Sequence, residues 1–177
     1  MTTWQRLEAG SAERRLCLAM NRWCTRHVLR RFFGVISRLG DGVFWYTLMG
    51  VLATLGGTRG VVAALHMALT GIVAATMYKG LKRWTRRPRP FRTHDAIVPY
   101  LAPLDEFSFP SGHTLHAVSF TLIALAYFPV LAPLLVPFTV LVMLSRIVLG
   151  LHYPSDVVAA TVIGALLGAL SLGLAPT

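Results

Sequence analysis

The chain has 177 residues, room for one domain. It is 55% hydrophobic and 14% charged, against about 25% charged in soluble domains, and its apolar residues come in long blocks, which excludes an ordinary soluble protein and points to one embedded in a membrane. A net charge of +10 would suggest nucleic acid on a soluble surface, but here the charges fall between apolar blocks and read as orienting charges that attract anionic lipid headgroups.

Residues 1–10 read as a short tail and Ser11 as a helix cap. Between Arg14 and Phe33, Leu16, Met20, Trp23 and His27 recur three or four apart while Arg15, Arg22, Arg26 and Arg30 lie largely elsewhere. That spacing predicts an amphipathic helix in the headgroup plane, anchored by Trp23. Its arginines count against a span and leave no uninterrupted apolar core for a signal peptide. Cys17 and Cys24 are too far apart along such a helix for a disulfide and read as free thiols. The tail and interfacial helix, 1–34, precede a membrane-embedded domain, 35–177.

The first span runs from Val43 to Gly56 after Asp41-Gly42, and an extension back to Val35 would supply the roughly 20 residues a bilayer needs. A glycine-rich turn leads to the second span, Val61 to Tyr78. There His66 reads as a hydrogen bonder to a neighbouring helix, and Ala63, Ala64, Ala68, Gly71 and Ala75 as a close-packing face. Seven cations follow from Lys79 to Arg92, where Pro88 and Pro90 end the helix; most of these read as lipid-facing anchors. Residues 91–109 form a loop over the site, the expected seat of headgroup selectivity, in which His94 and Asp95 read as solvated. The remaining spans run from His113 to Phe128, with His116 at a water-accessible mouth, from Leu134 to Leu149, and from Pro154 or Ser155 to Leu172. Gly164 and Gly168 form a small-residue face on the last of them. The expected fold is an all-α polytopic membrane bundle of about five spans plus one interfacial helix, and its small-residue faces permit a homodimer.

Counting crossings brings Lys82, His113, Arg146, His152 and Asp156 to one side of the membrane. With Arg89, which follows Lys82 in the chain, three cations there could clamp a phosphoryl group. One imidazole could attack phosphorus with a carboxylate four residues later to orient it, and another could protonate the leaving oxygen. Arg146, near a helix end, demands an anionic partner, either substrate phosphate or Asp156.

Lys82 to Arg89-Pro90, Pro110-Ser111-Gly112-His113, and Ser145-Arg146 to His152 and Asp156 resemble the three-part signature of the type 2 phosphatidic acid phosphatase superfamily, which includes lipid phosphatases, class A acid phosphatases, glucose-6-phosphatase and vanadium haloperoxidases. All three parts are present in order over the C-terminal two thirds. The resemblance implies that His152 is the nucleophile, His113 the general acid and then base, and Asp156 the partner of His152. It also implies that Lys82, Arg89, Arg146, Ser111 and the Gly112 N–H bind phosphate; Lys82 and Arg89 stand out from the cation run on this ground alone. No cofactor or metal is expected, since a lone Asp156 is poor provision for Mg²⁺.

The membrane spans favour an amphiphilic phosphorylated lipid over soluble substrates, either polyprenyl diphosphate or phosphatidylglycerophosphate, hydrolysed through a phospho-histidine. A lipid phosphotransferase, or a scaffold or lipid-handling protein that keeps the pocket without turnover, is the alternative. The expected location is a bacterial inner membrane. The positive-inside rule leans the site to the cytoplasmic face, whereas the bacterial phosphatases it resembles usually work at the outer face.

Overall fold

The computed structural model describes residues 12–174; the tail expected over residues 1–10 and the cap at Ser11 lie outside the described residues. Among the described residues the fold is all-α. It runs through α1 (Ala12–Asn21), α2 (His27–Arg38), α3 (Phe44–Leu55), α4 (Gly57–Thr85), the short α5 (Pro90–Thr93), α6 (Gly112–Tyr127), α7 (Ala132–Val148) and α8 (Pro154–Leu174). Gly57–Thr93, Pro129–Val148 and Pro154–Leu174 are long and apolar enough to cross a bilayer, as expected of a polytopic helical bundle. As single helices the other two expected spans are shorter, 12 residues in α3 and 16 in α6. However, α2 continues into α3 through a π-helical segment, Leu39–Val43, kinked at Gly42 with φ 140°. A side chain at Gly42 would also strike the Tyr46 ring, 2.7 Å from the added Cβ.

The bundle is organised around α6, which packs on α4, α7 and α8. Being apolar all round, it belongs inside, and its small polar groups pair within the protein: the Thr121 hydroxyl meets that of Thr139 at 2.6 Å. Gly164 and Gly168, the expected small-residue face, lie against it. A Cβ at Gly164 would come 2.7 Å from the Leu115 carbonyl oxygen. His66 Nδ1 and the Tyr127 hydroxyl, 3.1 Å apart, join α4 to α6, the helix–helix role expected of that histidine.

The N-terminal helix departs from expectation. Arg14–Phe33 is two helices separated by a 3-10 turn, Arg22–Thr25, because Arg26 leaves the helical region (φ −81°, ψ 117°). The buried side is set by Cys17, Met20, Asn21 and Cys24, while Leu16 and Trp23 are half exposed. The decisive group is Asn21, whose amide donates to the Val98 and Val148 carbonyls and accepts from the Val98 N–H. α1 is therefore docked on the protein by a buried polar contact that a hydropathy pattern does not register. Neither cysteine forms a disulfide among the described residues.

Candidate active site

One end of the bundle holds a cavity of about 810 Å³ whose lining includes Lys82, Arg89, Gly112, His113, Arg146 and His152. Ser111 and Asp156, the other two expected site residues, stand behind that lining, fully buried. Deeper walls are apolar, with Trp45, Met49, Ala68, Ile72 and Phe120.

α4 delivers the first cation. Its 29 residues span about 44 Å at 1.5 Å each, more than the ~30 Å hydrocarbon layer, so its last turns carry Lys79, Lys82 and Arg83 towards the headgroups. The helix stops where Arg86 turns left-handed (φ 47°) and Pro88 and Pro90 bar its continuation. Lys82 and Arg89 therefore meet through a turn. Both grip the loop carboxylate of Asp105: Lys82 Nζ donates to its two oxygens at 2.7 Å, and Arg89 Nη2 donates to Oδ1 at 2.8 Å. The third cation, Arg146, is buried; its Nη1 donates to the Ser37 hydroxyl, and its Nε has no partner among the described residues. A buried, incompletely paired guanidinium is costly, and here it faces a cavity able to admit an anion.

The N-terminus of α6 adds backbone donors. Ser111 is its cap, its Oγ accepting from the Thr114 N–H and hydroxyl at 3.5 and 3.0 Å. Gly112 packs so closely on Tyr78 that a Cβ would lie 3.3 Å from the ring. A helix start with free N–H groups favours anions. His116, expected at a water-accessible mouth, has its two ring nitrogens 2.9 and 3.2 Å from the Gly112 and Gly71 carbonyl oxygens and so lies between α6 and α4.

His152 lies between α7 and α8, with Nδ1 3.5 Å from Asp156 Oδ2 and Nε2 3.3 Å from Arg89 Nη1. Burial first, and then the cations Arg89, Arg146 and Lys82, push its imidazole well below its usual value, so the ring is neutral and able to act as a nucleophile. Asp156 is oriented locally: as the third residue of α8, its Oδ2 accepts from the Tyr153 N–H at 2.9 Å, one half of a capping box.

The other oxygen of Asp156 corrects two expectations. Asp156 does not pair with Arg146; its Oδ1 accepts from Arg87 Nη1 at 2.8 Å. Arg87, read from the sequence as a lipid-facing anchor, is buried, lies 4.1 Å over the Tyr153 ring and reaches Glu13 at 3.0 Å. Glu13 in turn accepts from the Ser155 N–H at 2.8 Å. The signal was present, since in the extended Arg-Pro-Arg-Pro run residues two apart share a face, so Arg87 follows Arg89 inward. Asp41 was also missed as a site residue. It lines the cavity from the α2–α3 kink and hydrogen-bonds His113 Nε2; a carboxylate between two glycines in an acid-poor chain was its only signal.

The PAP2 superfamily matches residues 59–177. A decaprenylphosphoryl-5-phosphoribose phosphatase of Mycobacterium tuberculosis is 33% identical over 136 residues, 76% of this chain and 74% of the relative. Undecaprenyl-diphosphatase BcrC of Bacillus subtilis is 32% identical over 117 residues, 65% of this chain and 59% of the relative. Among solved structures, a transmembrane PAP2 type phosphatidylglycerolphosphate phosphatase from Bacillus subtilis superposes with a TM-score of 0.73 at 25% identity, covering 97% of this chain and 90% of that one. LpxE of Aquifex aeolicus gives 0.74 at 25% identity, over 90% and 93% of the two chains. The apolar crossings, the cationic pocket at one end of them and this family-wide likeness in sequence and fold converge: the chain belongs to the PAP2 superfamily and is an integral-membrane lipid phosphatase.

Proposed function

We propose that the chain hydrolyses a lipid phosphate monoester or diphosphate, with polyprenyl diphosphate and phosphatidylglycerophosphate as the leading substrates, through a phosphorylated His152. His152 Nε2 attacks phosphorus, and the Nδ1 proton is held towards Asp156. His113 gives its proton to the departing oxygen and takes one back from the water that cleaves the N–P bond. Lys82, Arg89 and Arg146 bind the non-bridging oxygens, aided by Gly112 at the helix start that Ser111 caps. Their attraction grows as charge builds in the trigonal-bipyramidal transition state. The phosphate takes over the cations that Asp105 holds in the free protein. These three cations supply the charge stabilisation, so the reaction needs no metal.

The observation that carries this reading is the neutral His152 beside an incompletely paired, buried Arg146, at the cationic end of a cavity whose deeper walls are apolar. Such a cavity suits a phosphorylated headgroup with its tail. The names of the relatives, which concern polyprenyl-linked and phosphatidylglycerol phosphates, support the two substrate classes. In this reading α2–α3, α4, α6, α7 and α8 make five crossings of a bacterial inner membrane, with the site at the cytoplasmic face. Phosphate release from a panel of detergent-dispersed lipid phosphates tests the reaction. Release should persist in EDTA and vanish in His152→Ala; loss in EDTA, or turnover by the variant, overturns it.

A further inference from the structure

His113 and His152 line the cavity's charged end and each faces one carboxylate, whereas His116, also in the lining, is held by the Gly112 and Gly71 carbonyls. Asp156 serves His152. For His113 the partner is Asp41, whose Oδ1 is hydrogen-bonded to Nε2. Asp41 reaches that position because the chain breaks its helix there: the π-helical turn and the positive φ of Gly42 swing it off the α2–α3 line and into the cavity wall. Gly40, on the other side, lets the kink lie against α7, where a Cβ would sit 3.2 Å from the Val142 methyls. Gly42 is thus required by its backbone conformation, and Gly40 eases the packing that brings this carboxylate to α6. The other charges near His113 are Arg146 and Lys82, both cations, and His152 is neutral. Asp41 is the carboxylate that opposes them at the ring.

We infer that Asp41 is a positioning residue for acid–base transfer by His113. It fixes the ring through Nε2–H, which leaves Nδ1 to exchange the proton with substrate, and it balances the charge of the imidazolium. The proton balance follows. As the His152–phosphorus bond forms and the phosphorus–oxygen ester bond breaks, His113 Nδ1–H passes to the departing oxygen and the ring becomes neutral. When water attacks phosphorus, its proton returns to Nδ1 as the nitrogen–phosphorus bond breaks. Asp41 keeps Nε2–H throughout and touches neither substrate nor phosphorus.

This inference rests on the assignment of His113 as general acid, and leaving-group dependence separates the two. An alkyl phosphate needs a proton on its departing oxygen, whereas 4-nitrophenolate leaves without one, and kcat/KM reports that first step. The enzyme is assayed in detergent with phosphatidate and with 4-nitrophenyl phosphate, using Asp41→Asn, Asp41→Glu and His113→Gln. Asp41→Asn should lower kcat/KM for phosphatidate about 10- to 100-fold, below the ~10²–10⁴ of the general acid itself, and leave that for 4-nitrophenyl phosphate within about threefold. Asp41→Glu, which keeps the charge but displaces it, should show the same split to a smaller degree and carries the test if the asparagine variant does not fold. A split in His113→Gln with equal losses, or no loss, on both substrates in the Asp41 variants overturns the inference. Absence of the split in His113→Gln overturns the assignment of His113 itself.

Discussion

At His152 the surroundings select the protonation state. With burial and three cations holding the imidazole well below its usual value, the unfolded chain takes up a proton from about pH 6.5 downward that the folded chain refuses. That difference contributes stability present above about pH 6.5 and lost as pH falls towards the depressed folded value. His152→Gln removes the titration, so thermal melting of the detergent-solubilised protein from about pH 8 to about pH 5 should decline more steeply for the native chain than for the variant. Equal slopes would mean that the ring is not held neutral. The residues around it differ in how far the sequence revealed them. Lys82, Arg89, His113, Arg146, His152 and Asp156 sit in short segments whose spacing carries the superfamily signature. Asp41 and Arg87 make their contacts across 72 and 69 residues of chain, and local spacing says nothing about which distant groups a fold brings together.

At the scale of elements, the relation between α6 and α8 would set the reacting geometry of the proposed mechanism, because Gly112 and His113 open one helix while His152 and Asp156 lead into the other. Their close approach depends on Gly164, whose added Cβ would meet the Leu115 backbone oxygen at 2.7 Å; Gly173, farther along α8, has open space. Gly164→Leu should therefore destabilise the protein by about 1–3 kcal/mol, as overpacking does, with activity lost alongside. Gly173→Leu should leave both nearly unchanged, and comparison of melting temperatures and phosphate release checks the pair. The small-residue pattern was readable because close helix packing needs small side chains every fourth residue. The break at Arg26 and the docking of α1 were not, because one buried amide, Asn21, outweighs the arginine-laced periodicity that suggested a single interfacial helix. The expected loop at 91–109 starts with the short helix α5 and is irregular only from His94, and the grip of Lys82 and Arg89 on Asp105 depends on a turn geometry that two prolines permit and do not specify.

For the whole molecule the two ends of the bundle differ in charge. Arg59 stands at the start of α4, 5.6 Å over the Phe128 ring, and among the described residues the other lysines and arginines lie towards the end that holds the cavity. Removing Lys82, Arg89 and Arg146, the cations proposed to bind phosphate, leaves the imbalance intact, so the bias does not come from the proposed site alone. Positive charge is retained on the cytoplasmic side during insertion, which argues for a site that meets its lipid at the inner leaflet. Glu106 is exposed beside the site, Arg59 is exposed at the opposite end, and the native thiols Cys17 and Cys24 are buried. In intact bacteria a membrane-impermeant maleimide should therefore label Arg59→Cys and spare Glu106→Cys until the cells are opened. The reverse pattern would place the site on the outer face and mean that the arginines of α1 and α2 are held there by contacts such as Glu13 with Arg87, at a cost the insertion rule alone would not predict.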